Sequence, residues 1–336
     1  MGIKEVARQA GVSVGTVSNV LNRPERVSGE VRVRVHAAID RLGYVRSESA
    51  RQLRAGRSRM LGLLVMDVGN PFFAALARGT ERVAAHAGLG VMVCDSGGSA
   101  ATEQAYLSLF AEQRLRGVLL APAAPQSEPW ETLRRPDIPF VIVDRVVDPK
   151  EACSVAADDV LGGMLAGRHL LAAGHRRIAY VHGPDHLQQV QDRREGLVRA
   201  VEESGLGADA VIDIPAEKLD VAAGRDAGAR LIGLPVAPTA AFCANDLLAL
   251  GVMQTAFDAG FRVPDDLAVV GYDDIEFAEA SLIPLTSVRH PAGEIGRLAA
   301  ELLLQEIEAP RSDQDHRHTG VVLQPELVVR RSSLRH

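Results

Sequence analysis

From residue 60 onward, short apolar runs alternate with stretches that have the spacing of amphipathic helices. The strand candidates are 61–66, 90–94, 117–121, 139–143, 177–181, 240–243 and 267–271. Helices fit between nearly all of them, for example over 73–88, 102–115, 159–173, 188–204, 221–232, 246–259 and 292–307. Apolar strands joined by helices predict parallel sheets with both faces covered. Because about 275 residues are many for one such sheet, we expect an α/β domain with two lobes and a cleft between them.

The first 22 residues have the pattern of two short amphipathic helices separated by a glycine. An apolar stripe lies within residues 3–10, and Gly11 can end that helix because glycine tolerates the left-handed conformation of a tight turn. Ser13 can then cap a second helix over about 14–21. Its inward side is Val17, Val20 and Leu21, and its outward side is Val14, Gly15, Thr16, Ser18 and Asn19. The pattern is typical of a helix-turn-helix that reads DNA bases, although an ordinary helical hairpin shares it.

A third helix and a charge imbalance favour the DNA-binding interpretation. Ser28 can begin this helix, apolar residues recur from Val31 to Leu42, and Gly43 can end it, so that residues 1–45 form a three-helix head. Residues 1–59 contain 12 Lys and Arg against 5 Asp and Glu, a charge of +7, whereas the whole chain carries −6. The remaining 277 residues therefore hold −13. A basic head on an acidic body concentrates the attraction for phosphates at one end.

Residues 46–59 form an arginine-rich stretch between the head and the body. Ser49 could cap one or two helical turns there, but so short a helix needs a partner to be stable. Leu53 is the only large apolar side chain of this stretch. It either packs on its own domain or acts as a wedge that enters the minor groove and unstacks a base step.

Several classes of protein do not fit the composition. No apolar run approaches the ~18–20 residues that a membrane span needs, and the N-terminus lacks the apolar stretch of a secretory signal. Cys94, Cys153 and Cys243 are far apart and lie in or beside apolar segments, which predicts reduced, buried thiols and no metal site. We therefore expect a cytoplasmic protein without a cofactor.

Polar side chains follow most of the predicted strands, where ligands bind in folds of this class. They are Asp67 with Asn70–Phe73, Asp95, Asp144–Arg145, His182, Asn245–Asp246 and Asp273–Asp274. Carboxylates, amides and an arginine beside aromatic rings suit a small polyhydroxylated or heterocyclic ligand. Any one of these residues could instead be a helix cap.

Two other classes of function share this scaffold. An enzyme is one, but the turns after the strands lack a dinucleotide-binding glycine pattern, a phosphate loop and a nucleophile elbow. The spacing of His169, His175, His182 and His186 does not form a metal-ligand set. A two-lobed solute-binding protein is the other, and the basic head and the missing signal peptide argue against it.

Many segments closely resemble the lactose/galactose repressor family of transcription regulators, in one order over nearly the whole chain. In the head they are Ile3–Ala7, Gly11–Ser18, Val20–Asn22, Arg26–Ser28, Ala37–Tyr44 and Ala50–Leu53. In the body they are Asn70–Phe73, Val143–Arg145, Gly174–Ile178, Phe242–Asp246, Val263–Pro264, Val270–Asp274, Pro284–Thr286 and Pro325–Ser332.

The resemblance implies a repressor that binds a pseudo-palindromic operator as a homodimer, or as a dimer of dimers. Ser13, Thr16 and Ser18 would contact phosphates or bases, and Val14, Gly15 and Asn19 match the sequence-reading positions. Gly15 departs from the usual pattern because it brings no side chain to a base. Leu53 matches the wedge of a hinge helix within 46–59, with Ala50 where two hinge helices meet.

The resemblance also implies an effector-binding domain over 60–333. Its N-lobe would span about 60–157 and 287–315, and its C-lobe about 158–286 and 316–331. A small-molecule effector, with sugars the first expectation and nucleosides the second, would bind between the lobes. The implied contacts are Phe72, Phe73, Asp144, Arg193, Leu219, Asn245 and Asp273. Leu219 stands where members often place an aromatic ring.

Overall fold

The computed structural model describes residues 2–44, 58–123, 130–134, 136–309 and 318–334. The chain divides into two compact units at Ser58. The first unit contains the predicted head, and the second contains the predicted two-lobed body.

The first unit is built from three helices, as the apolar spacing predicts. They are α1 (Ile3–Ala10), α2 (Val14–Asn22) and α3 (Gly29–Leu42), with a short 3-10 turn at Pro24–Arg26. Gly11 ends α1 at φ 63°, in the left-handed region that favours glycine. The core side chains come from all three helices: Val6, Ala7, Ala10, Val17, Val20, Val35 and Ala38.

The second unit contains two six-stranded sheets, one in each lobe. The N-lobe sheet consists of β1 (Met60–Val65), β2 (Gly90–Asp95), β3 (Gly117–Leu120), β4 (Phe140–Val143), β5 (Cys153–Ala157) and β11 (Gly320–Leu323), in the order β11-β5-β4-β3-β1-β2. The C-lobe sheet consists of β6 (Ile178–His182), β7 (Val211–Pro215), β8 (Ala240–Cys243), β9 (Ala268–Asp273), β10 (Thr286–Arg289) and β12 (Glu326–Val328), in the order β12-β10-β9-β8-β6-β7. Every pairing is parallel except that of β10 with β12.

Helices cover both sheets, which confirms the predicted fold class. The N-lobe helices are α4 (Pro71–His86), α5 (Ala100–Glu112), α6 (Glu131–Arg134) and α12 (Ala292–Glu308). The C-lobe helices are α7 (Asp159–Ala172), α8 (Gln188–Glu203), α9 (Val221–Ile232), α10 (Asp246–Asp258) and α11 (Glu276–Ala280). The pairs α4 with α12, α7 with α8, and α9 with α10 pack closely. Among the described residues, no helix is long and apolar enough to cross a membrane.

The pairing of two strands corrects two lobe assignments made from the sequence. We expected residues 287–315 in the N-lobe and 316–331 in the C-lobe. Instead, β10 pairs with β9 of the C-lobe sheet, and β11 pairs with β5 of the N-lobe sheet. The chain therefore crosses between the lobes near 158, 290 and 324. Neither strand has the long apolar run that marks a central strand, so the sequence alone did not reveal either pairing.

Candidate functional site

The second helix of the head presents a polar, exposed start. The Ser13 hydroxyl accepts a hydrogen bond from the Thr16 amide at 3.0 Å and lies 2.9 Å from the Thr16 hydroxyl, so the predicted cap is confirmed. The Asn22 amide donates to the Ser18 carbonyl at 2.7 Å. Val14, Gly15 and Asn19 are exposed on the outward side. If α2 lies in the major groove of DNA, these groups are placed to contact base edges and phosphates.

Gly15 is not required by packing. A Cβ atom at this position would meet one described atom, the Ser13 Oγ at 3.6 Å, which is ordinary van der Waals contact. Glycine inside a helix costs about 1 kcal/mol relative to alanine. The structure therefore offers no folding reason for this residue. Ala50 and Leu53, the implied hinge residues, lie outside the described residues.

The start of α4 links the two lobes. Asn70 caps α4 by accepting a hydrogen bond from the Phe72 amide at 2.9 Å, and its side-chain amide lies 3.4 Å from the Asp273 carboxylate of the C-lobe. Phe72 stacks on His290 with ring centroids 4.6 Å apart and meets Phe73 edge-on at 5.0 Å. The two phenylalanine rings therefore pack against each other, and one face of Phe72 is covered by His290.

Arg193 is a buried cation on the C-lobe side. Its Nε donates to the Asp159 carboxylate at 2.9 Å, and its Nη1 donates to the Ala244 carbonyl at 2.6 Å. Its guanidinium lies 3.7 Å from the centroid of the Tyr272 ring. Burial opposes the charge, but Asp159 and the other nearby anionic groups raise the pKa of Arg193 well above its usual value. The side chain is thus positively charged and fixed in place.

Asp144 and His290 leave buried polar atoms without hydrogen bonds. The Gln189 amide donates to Asp144 Oδ2 at 3.2 Å. The nitrogens of His290 lie 3.6 Å from Asp144 Oδ1 and 3.8 Å from Asp273 Oδ1, both too far for a hydrogen bond. No described residue bonds Asp144 Oδ1 or either His290 nitrogen. Burial raises the pKa of Asp144 to about 7, while His290 acts in the opposite direction. Such atoms are what a polar ligand can satisfy.

Two of these carboxylates also have unusual backbone conformations. Asp144 has φ 61° at the end of β4, and Asp273 has φ 99° at the end of β9. Both values lie in the left-handed region that non-glycine residues rarely adopt. Such conformations cluster at ligand sites. An open space of ≈ 540 Å³ borders Asp273 and lies between α4 and the segments 273–277 and 289–294, whereas Asp144 does not line it.

Asn245 and Leu219 occupy the C-lobe edge of this region. The Asn245 amide donates to the Leu219 carbonyl at 2.9 Å, and its oxygen caps α10 by accepting from the Leu248 amide at 2.9 Å. The Leu219 side chain packs directly over Gly183. Asn245 therefore caps α10, and Leu219 provides an aliphatic surface.

Other polar residues at the strand ends have structural roles. Asp246 accepts from the Ile275 amide at 2.8 Å and the Ser287 hydroxyl at 2.6 Å. Asp95 accepts from the Val68 amide at 3.1 Å. The histidines at 169, 175 and 182 bond to Ser333, Thr239 and the Gly183 carbonyl, respectively. They form no common cluster among the residues that the structure describes.

Sequence reasoning missed His290, Tyr272, Asp159 and Gln189 as members of this group. His290 follows β10, which lacked the long apolar run of a recognised strand, so its position at a strand end was hidden. Asp159 follows the Asp158 cap of α7 and resembles an ordinary acidic residue in a first helical turn. Each enters the site through tertiary contacts.

Known proteins match both units. Residues 2–47 match the lacI family of bacterial regulatory proteins, and residues 168–333 match the periplasmic binding protein-like domain. The chain is 36% identical over 332 residues to the HTH-type transcriptional repressor PurR of Vibrio atlanticus (strain LGP32), covering 98% of this chain and 97% of that protein.

Two solved structures extend this likeness. One is the lac repressor dimer bound to operator and the anti-inducer ONPF, with a TM-score of 0.84 and 25% identity, covering 100% of this chain and 99% of that one. The other is a LacI-family transcriptional regulator from Enterococcus faecium with bound ribose, with a TM-score of 0.74 and 30% identity, covering 82% of this chain and 100% of that one. The chain therefore belongs to the lacI family of bacterial regulatory proteins, which are DNA-binding transcriptional regulators controlled by small molecules and not enzymes.

Proposed function

We propose that this protein is a transcriptional repressor that binds a palindromic operator as a homodimer and responds to a sugar or sugar derivative bound between its lobes. The observation that carries the effector proposal is the set of buried, unbonded polar atoms on Asp144 and His290 beside the Phe72 ring. The contacts assigned to the effector are Phe72, Phe73, Asp144, Arg193, Leu219, Asn245 and Asp273, now with His290 added.

The aromatic surfaces favour a sugar over a nucleoside. A flat base is best held between two ring faces, but His290 covers one face of Phe72, and Phe73 meets that ring edge-on at an interplanar angle of 80°. Leu219 offers an aliphatic surface where a second ring would stand. Hydroxyl groups, by contrast, both donate and accept, so they can bond the carboxylate and the imidazole together. The Enterococcus faecium relative holds ribose.

An exposed apolar surface on the C-lobe supports the homodimer. Phe257 is 68% exposed, Phe277 48% and Leu282 88%, and all three line one groove beside α10 and α11. Large apolar side chains grouped on a surface usually mark a protein interface. We assign this groove to a second copy of the chain, since a palindromic operator requires a two-fold dimer.

Operator binding measured with a panel of small molecules tests the proposed function. The full chain is titrated onto its upstream palindrome by fluorescence anisotropy, with sugars, sugar phosphates and nucleosides added in turn. We expect two chains per operator, salt-sensitive binding and a change in Kd with at least one sugar. A response to nucleosides alone would overturn the sugar assignment, and salt-insensitive binding without sequence preference would overturn the operator assignment.

The proposed mechanism is a shift between two lobe arrangements, which changes the pairing of hinge helices that insert Leu53 into DNA. Leu53→Ala is expected to weaken operator binding by roughly tenfold or more, about 1.4 kcal/mol, and to leave effector affinity unchanged. Anisotropy and calorimetry measure the two affinities. Leu109→Ala, which shortens a partly exposed leucine on α5, is the control. Equal operator affinity of Leu53→Ala and the wild type would contradict the mechanism.

A further inference from the structure

Cys153, Glu306 and His318 come together on the N-lobe, although they lie in three separate parts of the chain. Cys153 is the first residue of β5, Glu306 lies in the last turn of α12, and His318 lies just before β11. The three side chains each offer one ligand atom, and these atoms lie within 4.8 Å of one another. None of the three belongs to the effector contacts described above.

The distances between the three ligand atoms fit one small cation. Cys153 Sγ lies 3.0 Å from Glu306 Oε1 and 3.8 Å from His318 Nδ1, and the latter two atoms are 3.0 Å apart. A tetrahedral zinc ion with bonds of 2.0–2.3 Å places its ligand atoms about 3.3–3.6 Å apart. The observed distances fall on both sides of that range. Shifts of a few tenths of an ångström would therefore suffice.

The donor types select the class of metal. A thiolate, an imidazole and a carboxylate are ligands of Zn²⁺, whereas Mg²⁺ and Ca²⁺ prefer oxygen alone. Burial raises the pKa of the Cys153 thiol to about 12, and the Thr319 amide, which donates to Cys153 Sγ at 3.1 Å, acts in the opposite direction. The side chains of His318 and Glu306 are 26% and 12% exposed, so an ion can enter from solvent on that side.

We propose that Cys153, Glu306 and His318 bind one Zn²⁺ ion, with water in the fourth coordination position. On binding, the Cys153 thiol loses its proton to solvent and sulfur forms a bond to zinc, while His318 binds as the neutral imidazole through Nδ1. The ion joins the end of α12 to β5 and to the segment that enters β11. It therefore reinforces the sheet edge just before the chain crosses to the C-lobe.

Cobalt provides a direct probe of the sulfur ligand. Untagged full-length protein is treated with EDTA, dialysed and titrated with Co²⁺. We expect a near-ultraviolet charge-transfer band that saturates at one ion per chain and disappears when Zn²⁺ is added. Cys153→Ser should lose the band, and His318→Ala should bind Zn²⁺ roughly tenfold more weakly or worse. Zn²⁺ should raise the Tm of the wild type but not that of His318→Ala.

Matched variants keep the test decisive. Cys94→Ser and His86→Ala alter the same residue types elsewhere and should retain the band and the wild-type Zn²⁺ affinity. His318 is partly exposed, so His318→Ala carries the test if Cys153→Ser fails to fold by circular dichroism. A wild type without the band, or equal Zn²⁺ affinity of His318→Ala and the wild type, would overturn the proposal and show a hydrogen-bonded trio only. Neither result bears on operator binding.

Discussion

Arg193→Met is expected to lower the free energy of unfolding of the effector domain by about 3–5 kcal/mol and to abolish the response to effector. Arg193 and Asp159 have side chains only 4% and 7% exposed, and they pair at 2.9 Å. Methionine fills much of the space but leaves the Asp159 carboxylate buried without its partner. Urea unfolding followed by circular dichroism measures the stability, and operator anisotropy with the active sugar measures the response.

The neighbouring arginine provides the control. Arg194 pairs with Asp213 at the surface, where the side chains are 44% and 38% exposed. Because such pairs contribute about 0–1 kcal/mol, Arg194→Met should change stability little and leave the effector response intact. Equal losses of stability in the two variants would contradict the burial argument.

A double variant separates the stability role of Arg193 from its effector role. Replacing a buried ion pair with apolar residues of similar volume is often neutral. Arg193→Met with Asp159→Leu should therefore recover much of the lost stability while effector binding stays absent. Recovery of both stability and effector binding would show that Arg193 does not contact the effector and contributes only to the stability of the domain.

Gly196→Ala is expected to destabilise the C-lobe by about 3 kcal/mol or more, because α7 and α8 are in backbone contact at this point. A Cβ atom at Gly196 would lie 1.9 Å from the Val160 carbonyl oxygen, and one at Gly163 would lie 2.0 Å from the Arg193 carbonyl oxygen. Neither oxygen belongs to a side chain that could rotate away. The added Cβ atom would therefore force α7 and α8 apart. Because Arg193 lies on α8, its position would change as well.

Thermal unfolding checks this second prediction. The control is Gly293→Ala in the first turn of α12, where the added Cβ would lie 3.8 Å from its nearest neighbour, the Ala75 carbonyl oxygen. That change should be neutral or stabilising by up to about 1 kcal/mol, since alanine restricts the unfolded chain. A Gly196→Ala protein as stable as the wild type would show that the helices can separate at little cost.

The central strands and the helices were predictable from local patterns. Runs such as those of β1 and β4 are apolar because they are buried on both faces, and the caps at Ser13 and Asn245 follow from the need to satisfy free helix amides. The predicted inward residues of α1 and α2 are buried or half-buried. The head follows from local pattern because its three helices are adjacent in sequence.

The edge strands were not predictable in the same way. In β7, Asp213 and Pro215 interrupt the apolar run, and β11 alternates between exposed and half-buried residues. A strand at an edge is recognised by its partner, which for β11 is β5, more than 160 residues earlier in the chain. The predicted lobe assignment was wrong at β11 for that reason.

The amino-acid sequence by itself determined the helix-turn-helix, the two-lobed α/β class, the family, and the residues expected to read DNA and bind an effector. These rest on short-range periodicity, capping and ordered segments. Only the tertiary structure decided that Arg193 pairs with Asp159, that His290 covers Phe72, and that Cys153, Glu306 and His318 converge. The physical reason is that burial and pairing depend on which distant segments meet. A buried charge, a histidine nitrogen without a hydrogen bond and three ligand atoms close enough to bind one ion exist only after the chain has folded.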